Sequence, residues 1–461
     1  MHKLYLSMIK RIVSLTGMNR AIGFSLLTRG WQVIAGPVSI FLVTRFFSIE
    51  EQGFYYTFAS ILALQVLFEL GLAFVITQFA SHEFASLSWG KGGQVTGAEV
   101  AVARFYAVIE RSIVWYGGVA SMLVVLVLPF GLYFFAGQAA HAPLVAWRYA
   151  WTLLVIAAAL YVPLIPVLAA IEGSGEVVRV NKLRLIQIAV ANLATWAAIA
   201  SGAGLFSASA VFIANAIVGY GWVARNYPVL LMELRKKWGV KKQTHFNWMH
   251  EVWPMQWRIA VSWISGYVIF QLFTPILFRY QGPAVAGKMG VSLVIANMTV
   301  TLAQVWLQTN TPRMAQAVAR KDWHELDKIF GRVFWQSTAV VCLGSIMVLV
   351  GLWYLSRFPM GQRFLPLEDM VYLLAAFALS HVIGAFAYYL RVHKQEPFML
   401  LSVIGAILVG SSMWLFGRTY GSTGMAISLL VINLVYGLPS ALWLWLRLRK
   451  AWHQPTGDIN E

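Results

Sequence analysis

The sequence predicts an all-α polytopic membrane protein with about twelve transmembrane helices, and three observations predict it. Of the 461 residues, 59% are hydrophobic and 11% are charged, whereas soluble domains carry roughly 25% charged residues. Apolar runs near the ~20 residues that cross a bilayer recur along the chain. Lys and Arg are concentrated in alternate connections between these runs. A soluble protein with this much apolar surface would need far more charge to stay dispersed.

Twelve apolar runs are long enough to be predicted as membrane spans. In the first half of the chain they lie near 22–44, 54–80, 113–135, 150–171, 184–204 and 207–224. In the second half they lie near 256–278, 285–308, 334–355, 369–391, 397–416 and 424–446. The pair 184–204 and 207–224 is the least distinct, because its connection is very short.

The connections also predict the orientation in the membrane. If both termini are cytoplasmic, the inside segments hold 26 Lys and Arg residues and the outside segments hold 7. This distribution follows the positive-inside rule. The basic residues of the inside segments also make up most of the net charge of +17. Attraction to anionic lipid headgroups explains their position, so no nucleic-acid partner is predicted. Residues 1–17 are predicted to form an interfacial amphipathic helix and not a cleaved signal peptide.

A basic, Trp-containing stretch at 227–253 is predicted to lie along the cytoplasmic interface. It joins an amino-terminal six-helix lobe, 1–226, to a carboxy-terminal six-helix lobe, 254–461. A faint internal repeat relates the two lobes. Arg45 and Gly53 follow the first span, Arg279 and Gly287 follow the seventh, and both pairs are related by an offset of 234 residues. Parallel repeats of this kind occur in transporters.

Four stretches form an ordered set that covers the chain from its second span to its last. They are RFFSIEEQGFYYTFASILALQVLFELGLAFVITQFASHE (45–83), LAAIEGSGEVVRVNKLRLIQ (168–187), TPRMAQAVARKDWHELDKIF (311–330) and YGSTGMAISLLVINLVYG (420–437). Together they resemble the bacterial Wzx-type flippases of lipid-linked oligosaccharides, in the multidrug/oligosaccharidyl-lipid/polysaccharide exporter superfamily. The matching residues of the first stretch are Arg45, Ser48, Glu50, Glu51, Gly53, Tyr55 and Glu69–Leu72. Gln52 departs from the aromatic residue usual there.

The resemblance implies two pseudo-symmetric bundles around a central cavity that work by alternating access. It implies a substrate of undecaprenyl pyrophosphate bearing an oligosaccharide repeat unit, which would be moved to the periplasmic leaflet for O-antigen, lipopolysaccharide or other polysaccharide biosynthesis. The expected location is the bacterial cytoplasmic (inner) membrane, and the expected partners are membrane lipids and other polysaccharide assembly proteins. No enzymatic activity, metal or cofactor is predicted. Coupling of transport to an H⁺ or Na⁺ gradient is predicted.

Three ionisable residues fall inside predicted spans, where such groups tend to face a cavity or a partner. Arg29 lies roughly 10 Å deep in the first span. A guanidinium there would hold a pyrophosphate through paired donors, or would form an ion pair or snorkel to the headgroups. Glu69 would pair with Arg29 or act as an ion-coupling site. His381 would be a satisfied core imidazole or a proton relay.

Further predicted site residues lie at the ends of spans. Arg258, near the cytoplasmic start of the seventh span, is either a helix-end anchor or part of a cationic cavity. Arg45, Arg279 and Lys288 lie at periplasmic ends and are predicted to fix the interface or to line the exit. Pro37 shares a helix with Arg29 and removes a backbone hydrogen bond, so a hinge is predicted there.

Three other functions remain as alternatives. A multidrug or cation exporter of the same superfamily would need cavity carboxylates, and Glu69 is one clear candidate. A membrane enzyme of polysaccharide assembly would need clustered acids or a large outside loop, and the outside connections here are short. A passive scaffold would leave the charges of the first two spans unexplained.

Overall fold

A computed structural model describes residues 20–138, 143–237, 248–251, 253–393, 395 and 397–453, and the fold is almost entirely helical. The predicted amphipathic helix at 1–17 lies outside these residues. The first two predicted spans form four helices, α1 (Arg20–Phe46), α2 (Ile49–Leu62), α3 (Gln65–Glu69) and α4 (Leu72–Glu83). A short antiparallel hairpin follows, formed by β1 (Leu87–Trp89) and β2 (Val95–Gly97).

The rest of the first half is helical again. Its helices are α5 (Glu99–Met122), α6 (Leu128–Ala136), α7 (Trp147–Tyr161), α8 (Leu164–Gly173), α9 (Val177–Ala200), α10 (Ser207–Asn226), α11 (Pro228–Lys237) and α12 (Trp248–Glu251). A π-helical turn at Leu123–Val127 joins α5 to α6 without a break. The break between α7 and α8 falls at Val162–Pro163, because proline cannot donate the hydrogen bond that would continue the helix.

The second half contains longer helices. They are α13 (Trp253–Gln271), α14 (Phe273–Gln281), α15 (Pro283–Ala319), α16 (Trp323–Leu355), α17 (Leu367–Arg391), α18 (Met399–Ile432) and α19 (Leu438–Trp452). A π-helical turn at Asn433–Gly437 joins α18 to α19. Gly421 has φ +62° and marks a kink within α18, which separates the last two predicted spans.

Among the described residues, eight helical segments are long and apolar enough to cross a membrane, and two further pairs qualify as bent spans. The bent pairs are Ile49–Glu69 with Leu72–Ser86, at 43°, and Ile259–Gln271 with Phe273–Gln281, at 42°. Together with α1, these segments coincide with all twelve predicted runs. The prediction of an all-α polytopic membrane protein is therefore confirmed.

Several helices extend beyond the predicted apolar runs. The third span was predicted to begin near 113, yet its helix begins at Glu99, and the ninth begins at Trp323 instead of near 334. Hydropathy predicts only the part of a helix that lies in lipid, so amphipathic turns outside the bilayer were missed. The β-hairpin was missed for a related reason, since three-residue strands carry almost no periodic signal.

The chain divides into two compact units that do not follow the predicted boundary in sequence. The described residues within 1–42, 65–133 and 146–260 form the first unit, and those within 43–64, 134–145 and 261–461 form the second. In the first unit, α4 packs against α8, and α9 packs against α10. In the second unit, α15 packs against both α2 and α16. The division into lobes 1–226 and 254–461 joined by 227–253 stays a prediction.

Candidate functional site

The second predicted span is interrupted in the first unit where its acidic residue lies. Helix α3 ends at Glu69, and the next two residues adopt left-handed backbone conformations, with φ +52° at Leu70 and +66° at Gly71. A left-handed residue cannot continue a right-handed helix, so the chain bends before α4 begins at Leu72. Leu70 has a side chain and is strained there, and strain of this kind is concentrated at functional sites.

Glu69 is buried beside this break, with 7% of its surface exposed. Its Oε1 accepts a hydrogen bond of 2.9 Å from the Nε2 of Gln65, one helical turn earlier. The indole of Trp115, on α5, donates to the carbonyl oxygen of Phe68 at 3.2 Å and holds the broken end in place. Tyr116 is fully buried on the same part of α5. We refer to Glu69, Gln65, Leu70, Gly71 and Trp115 as the acidic centre.

Helix α1 lies against α9 within the first unit. The rings of Trp31 and Trp196 stack with centroids 6.0 Å apart, and the indole of Trp196 donates to Ser39 Oγ at 2.8 Å. Pro37 lies within α1, which continues through it from Arg20 to Phe46. The side chain of Arg29 lies outside the described part of the structure, so its predicted pairing with Glu69 stays a prediction.

A second buried polar group lies in the second unit. His381 on α17 is 1% exposed, and its Nε2 is 3.1 Å from Ser337 Oγ on α16. At the adjacent position of α17, Ser380 Oγ accepts a hydrogen bond of 2.8 Å from Asn433 Nδ2, which also donates to the carbonyl oxygen of Ala376 at 2.9 Å. We refer to His381, Ser337, Ser380 and Asn433 as the imidazole centre.

Glu69, Leu70 and Gly71 of the acidic centre and His381 of the imidazole centre were singled out in the sequence, whereas the other members were missed. Gln65 lies four residues before Glu69, the spacing that places two side chains on one helical face, and this signal was available. Asn433 is a lone amide in the apolar run LLVINLVYG, and it too was available as an intramembrane polar residue. Ser337 offered no signal, because serine is common in membrane helices and its partner depends on how α16 and α17 pack.

A buried acid at a predicted outside end was also missed. Asp369, in the first turn of α17, is 3% exposed. Its two oxygens accept hydrogen bonds of 2.7 Å from the hydroxyls of Ser422 and Thr423, just after the kink at Gly421. The carboxylate therefore stabilises the kink that separates the last two spans.

The repeat-related glycines meet at a reciprocal contact in the second unit. A Cβ atom placed on Gly53 would lie 2.0 Å from the carbonyl oxygen of Pro283. A Cβ atom placed on Gly287 would lie 2.9 Å from the carbonyl oxygen of Ile49 and 2.8 Å from the nitrogen of Gly53. Ile49 and Pro283 are separated by the same 234 residues as the glycines. Gln52 adds a hydrogen bond of 2.8 Å from its Nε2 to the carbonyl oxygen of Gly287.

The other predicted end residues are found at the surface of the second unit. Arg45 is exposed in the last turn of α1. Arg279 is also exposed, and its carbonyl oxygen accepts a hydrogen bond of 2.6 Å from Gln138 Nε2. Lys288 is partly buried on α15. The side chain of Arg258, on α13, lies outside the described part of the structure. Their predicted roles stay predictions.

Solved structures with the same fold are membrane transporters. An inward-facing multidrug resistance MATE family transporter of the MOP superfamily is 10% identical, and the alignment covers 92% of this chain and 100% of that one with a TM-score of 0.58. An outward-facing transporter of that family is 12% identical over 96% and 99%, with a TM-score of 0.58. The lipid II flippase MurJ, inward closed, is 12% identical over 94% and 90%, with a TM-score of 0.57.

At this identity the likeness shows a shared fold of transporters and flippases. No family model matches the chain, and no curated protein matches it in sequence.

Proposed function

We propose that the chain is a flippase that moves undecaprenyl-pyrophosphate-linked oligosaccharide repeat units from the cytoplasmic to the periplasmic leaflet. The product would supply O-antigen or another surface polysaccharide. The fold shared with a lipid II flippase supports a lipid-linked substrate, and the four ordered stretches that resemble Wzx-type proteins support an oligosaccharide repeat unit. The shared fold with MATE transporters supports alternating access.

The proposal of an anionic substrate rests on the balance of charges at the predicted cytoplasmic ends. Three carboxylates there are already engaged by arginines. Arg104 bridges Glu83 at 2.8 Å and Glu251 at 2.6 Å. Arg184 and Glu172 form two parallel hydrogen bonds, at 2.6 and 3.1 Å. Acids that are neutralised in this way do not attract a cationic drug, so the remaining basic residues favour an anionic headgroup.

In this mechanism, Arg29 and Arg258 hold the pyrophosphate while the sugars occupy an aqueous interior and the polyprenyl tail stays in lipid. Arg45, Arg279 and Lys288 act at the exit or anchor the outside ends. Closure on the cytoplasmic side requires the outside contact of Gly53 and Gly287 to separate. Pro37 bends α1 during this exchange, and Glu69, with His381 as a second candidate, couples it to an H⁺ or Na⁺ gradient.

One observation favours a multidrug or cation exporter as the second candidate. Glu69 is buried with a neutral amide as its described hydrogen-bond partner, and an acid in that setting would bind an organic cation. The two functions predict opposite ligands. Purified protein should bind a polyprenyl-pyrophosphate oligosaccharide in preference to a cationic dye if it is a flippase, and the reverse if it is an exporter.

Complementation of flippase-deficient strains, scored by the glycan that reappears at the surface, tests the proposal directly. Arg29→Ala should abolish display while the protein still inserts in the membrane. Arg225→Ala is a matched control, because it removes an exposed arginine from a predicted cytoplasmic helix end. Normal glycan display by Arg29→Ala would overturn the role of Arg29, and dye export without any glycan restoration would overturn the flippase.

A further inference from the structure

A strongly basic groove lies between two helices of the second unit, and none of its lining residues belongs to the two centres described above. Its volume is about 340 Å³. The last turns of α15 and the first turns of α16 line it, and its residues are Asn310, Arg313, Gln316, Arg320, Glu325, Lys328, Ile329, Arg332 and Val333. We refer to this set as the basic groove.

The fold places these charges together because the opposite faces of both helices are committed to the core. Met314 and Ala317 on α15, and Leu326 and Phe330 on α16, belong to one buried apolar cluster. The turn between the helices is held by Asp322, whose Oδ1 accepts a hydrogen bond of 3.0 Å from the backbone nitrogen of Glu325. The polar faces of an antiparallel helical pair must therefore face each other along the groove.

The groove concentrates positive charge that the described residues do not neutralise. Arg313, Arg320, Lys328 and Arg332 contribute four positive charges, against the single carboxylate of Glu325. No ion pair is formed by any of these four cations within the described part of the chain. Like charges in so small a volume repel each other, and a bound anion would relieve that repulsion.

Apart from the helix-capping Asp322, the other acid in the first turns of α16 is already engaged elsewhere. Asp327 lies between the groove residues in sequence but on another face of α16, where Arg449 forms an ion pair with it and Tyr389 donates a hydrogen bond of 2.6 Å. The groove therefore keeps its excess of positive charge. Guanidinium groups bind phosphate through paired donors, and the amides of Asn310 and Gln316 offer further donors.

Two exposed tryptophans place the groove at the depth of lipid headgroups. Trp306 lies one helical turn before Asn310 on α15, and Trp335 lies three residues after Arg332 on α16, where 71% of its surface is exposed. Exposed tryptophans in membrane proteins mark the boundary between hydrocarbon and headgroups. The basic side chains lie on the non-hydrocarbon side of that boundary, at the ends predicted to be cytoplasmic.

We propose that the basic groove binds the phosphate headgroup of a lipid in the cytoplasmic leaflet. The chemistry is that of a phosphate carried on an acyl or polyprenyl chain, held by arginines from α15 and α16 together. The two sources are an anionic phospholipid and a polyprenyl pyrophosphate. The charge and lining of the groove carry this proposal without the flippase assignment, although a polyprenyl pyrophosphate is also the lipid anchor of the substrate proposed above.

Binding to the full-length protein in dodecyl maltoside micelles tests the proposal. The probes are dioctanoyl phosphatidylglycerol, geranylgeranyl pyrophosphate, inorganic pyrophosphate and, as the zwitterionic reference, dioctanoyl phosphatidylcholine. Saturable binding of at least one anionic lipid, tighter than inorganic pyrophosphate and phosphatidylcholine, is expected. Preference for phosphatidylglycerol identifies a resident phospholipid, and preference for the prenyl pyrophosphate identifies the polyprenyl class. Equal affinity for inorganic pyrophosphate and the lipids would overturn the lipid assignment.

Paired variants locate the binding. Arg313→Gln/Arg332→Gln removes one cation from each helix and should weaken lipid binding roughly tenfold or more, because each lost contact is charge-assisted. Lys182→Gln/Arg225→Gln removes the same charge from exposed positions at predicted cytoplasmic ends and should leave binding within about twofold. An equal loss in both pairs would mean that general surface charge binds the lipid, and the groove would be excluded.

Glu325→Gln provides a test that misfolding cannot imitate. Removing the one carboxylate of the groove raises its net positive charge, so lipid binding should tighten about two- to fivefold. Unchanged or weaker binding by this variant, with an unaltered melting profile, would contradict the proposal.

Discussion

The acidic centre of the first unit and the imidazole centre of the second unit are both buried polar groups inside predicted spans, but the backbone around them differs. Glu69 ends a short helix at two left-handed residues, Leu70 and Gly71. His381 lies in an unbroken helix, α17. Glu69 and His381 each have one described side-chain partner, but Glu69 bonds to Gln65 on its own helix, whereas His381 bonds to Ser337 on another helix. Beside His381, Asn433 makes two further hydrogen bonds between helices.

The difference distinguishes a site whose side chain can change its partners from a site that stabilises the packing of helices. Hydrogen bonds between helices specify how those helices pack, and they resist rearrangement. A strained break with a sparsely bonded carboxyl group can exchange partners without dismantling a network. We therefore propose that Glu69 is the ion-coupling residue and that His381 has a structural role.

The largest expected effect is on transport by Glu69→Gln. The amide cannot ionise, so transport in proteoliposomes should lose its dependence on the H⁺ or Na⁺ gradient and fall roughly tenfold or more. His381→Gln keeps a hydrogen-bonding group at the second centre and should retain most transport. If His381→Gln lost gradient dependence while Glu69→Gln kept it, the comparison would be reversed.

A smaller effect is expected from Gly71→Ala. Gly71 has φ +66°, and a side chain in the left-handed region costs roughly 1–2 kcal/mol, so the thermal unfolding temperature should fall. Gly117→Ala is the matched control, because its Cβ atom would meet nothing within 4 Å and alanine favours a helix. Equal unfolding temperatures for the two variants would show that the break is not a fixed feature of the fold.

Asn433→Leu should affect stability more than transport. Losing the donor to Ala376 and Ser380 should cost about 1 kcal/mol, a typical size for one hydrogen bond between membrane helices. Thermal unfolding in detergent and glycan display should be measured on the same preparation. Loss of display at full stability would make Asn433 part of the transport machinery and would weaken the structural assignment.

The smallest effect is a dependence of stability on pH at the carboxy-terminal end of the second unit. His453 stacks on Trp323 with ring centroids 4.3 Å apart, and His393 packs against Trp452 at 4.6 Å. Burial lowers the pKa of both imidazoles below the ordinary value of about 6.5. Asp327, which raises the pKa of His453, and His393 and Arg449, which lower it, are the ionisable groups that act on this imidazole.

The lowered pKa values mean that the unfolded chain binds protons first as the pH falls below about 6.5. Stability should therefore be full above that pH and decrease through the acidic range. His393→Gln should show a shallower decrease than the unaltered protein in thermal unfolding between pH 8 and pH 5. A steeper decrease in the variant would contradict the effect of burial.

The spans were predictable from the sequence because each needs only a length and an apolar composition. The break after Glu69 was not, although its residues were noted as a Glu-Leu-Gly-Leu step. Proline ends a helix because it removes a backbone hydrogen bond, and the break at Val162–Pro163 follows that rule. Leu70 in a left-handed conformation follows from the packing around it, which no local pattern reveals.

The candidate sites were half predictable for a similar reason. An ionisable residue in an apolar run is visible in the sequence, so Glu69 and His381 were found. Asp369 was missed because it lies beside Glu368 at the start of a span, where acids are ordinary. Its burial depends on Ser422 and Thr423, more than 50 residues later, and contacts at that separation arise only from the fold.

The glycine contact has the form of an interface between two copies of one protein. In an isologous dimer, the residue that touches a partner is touched in return by that partner's equivalent residue. Gly53 meets Pro283, Gly287 meets Ile49, and one offset of 234 relates both pairs. The contact thus has the geometry of an ancestral half-length homodimer whose halves were fused by duplication. Gln52, whose equivalent position is Ala286, is a residue at which the two sides of this contact differ.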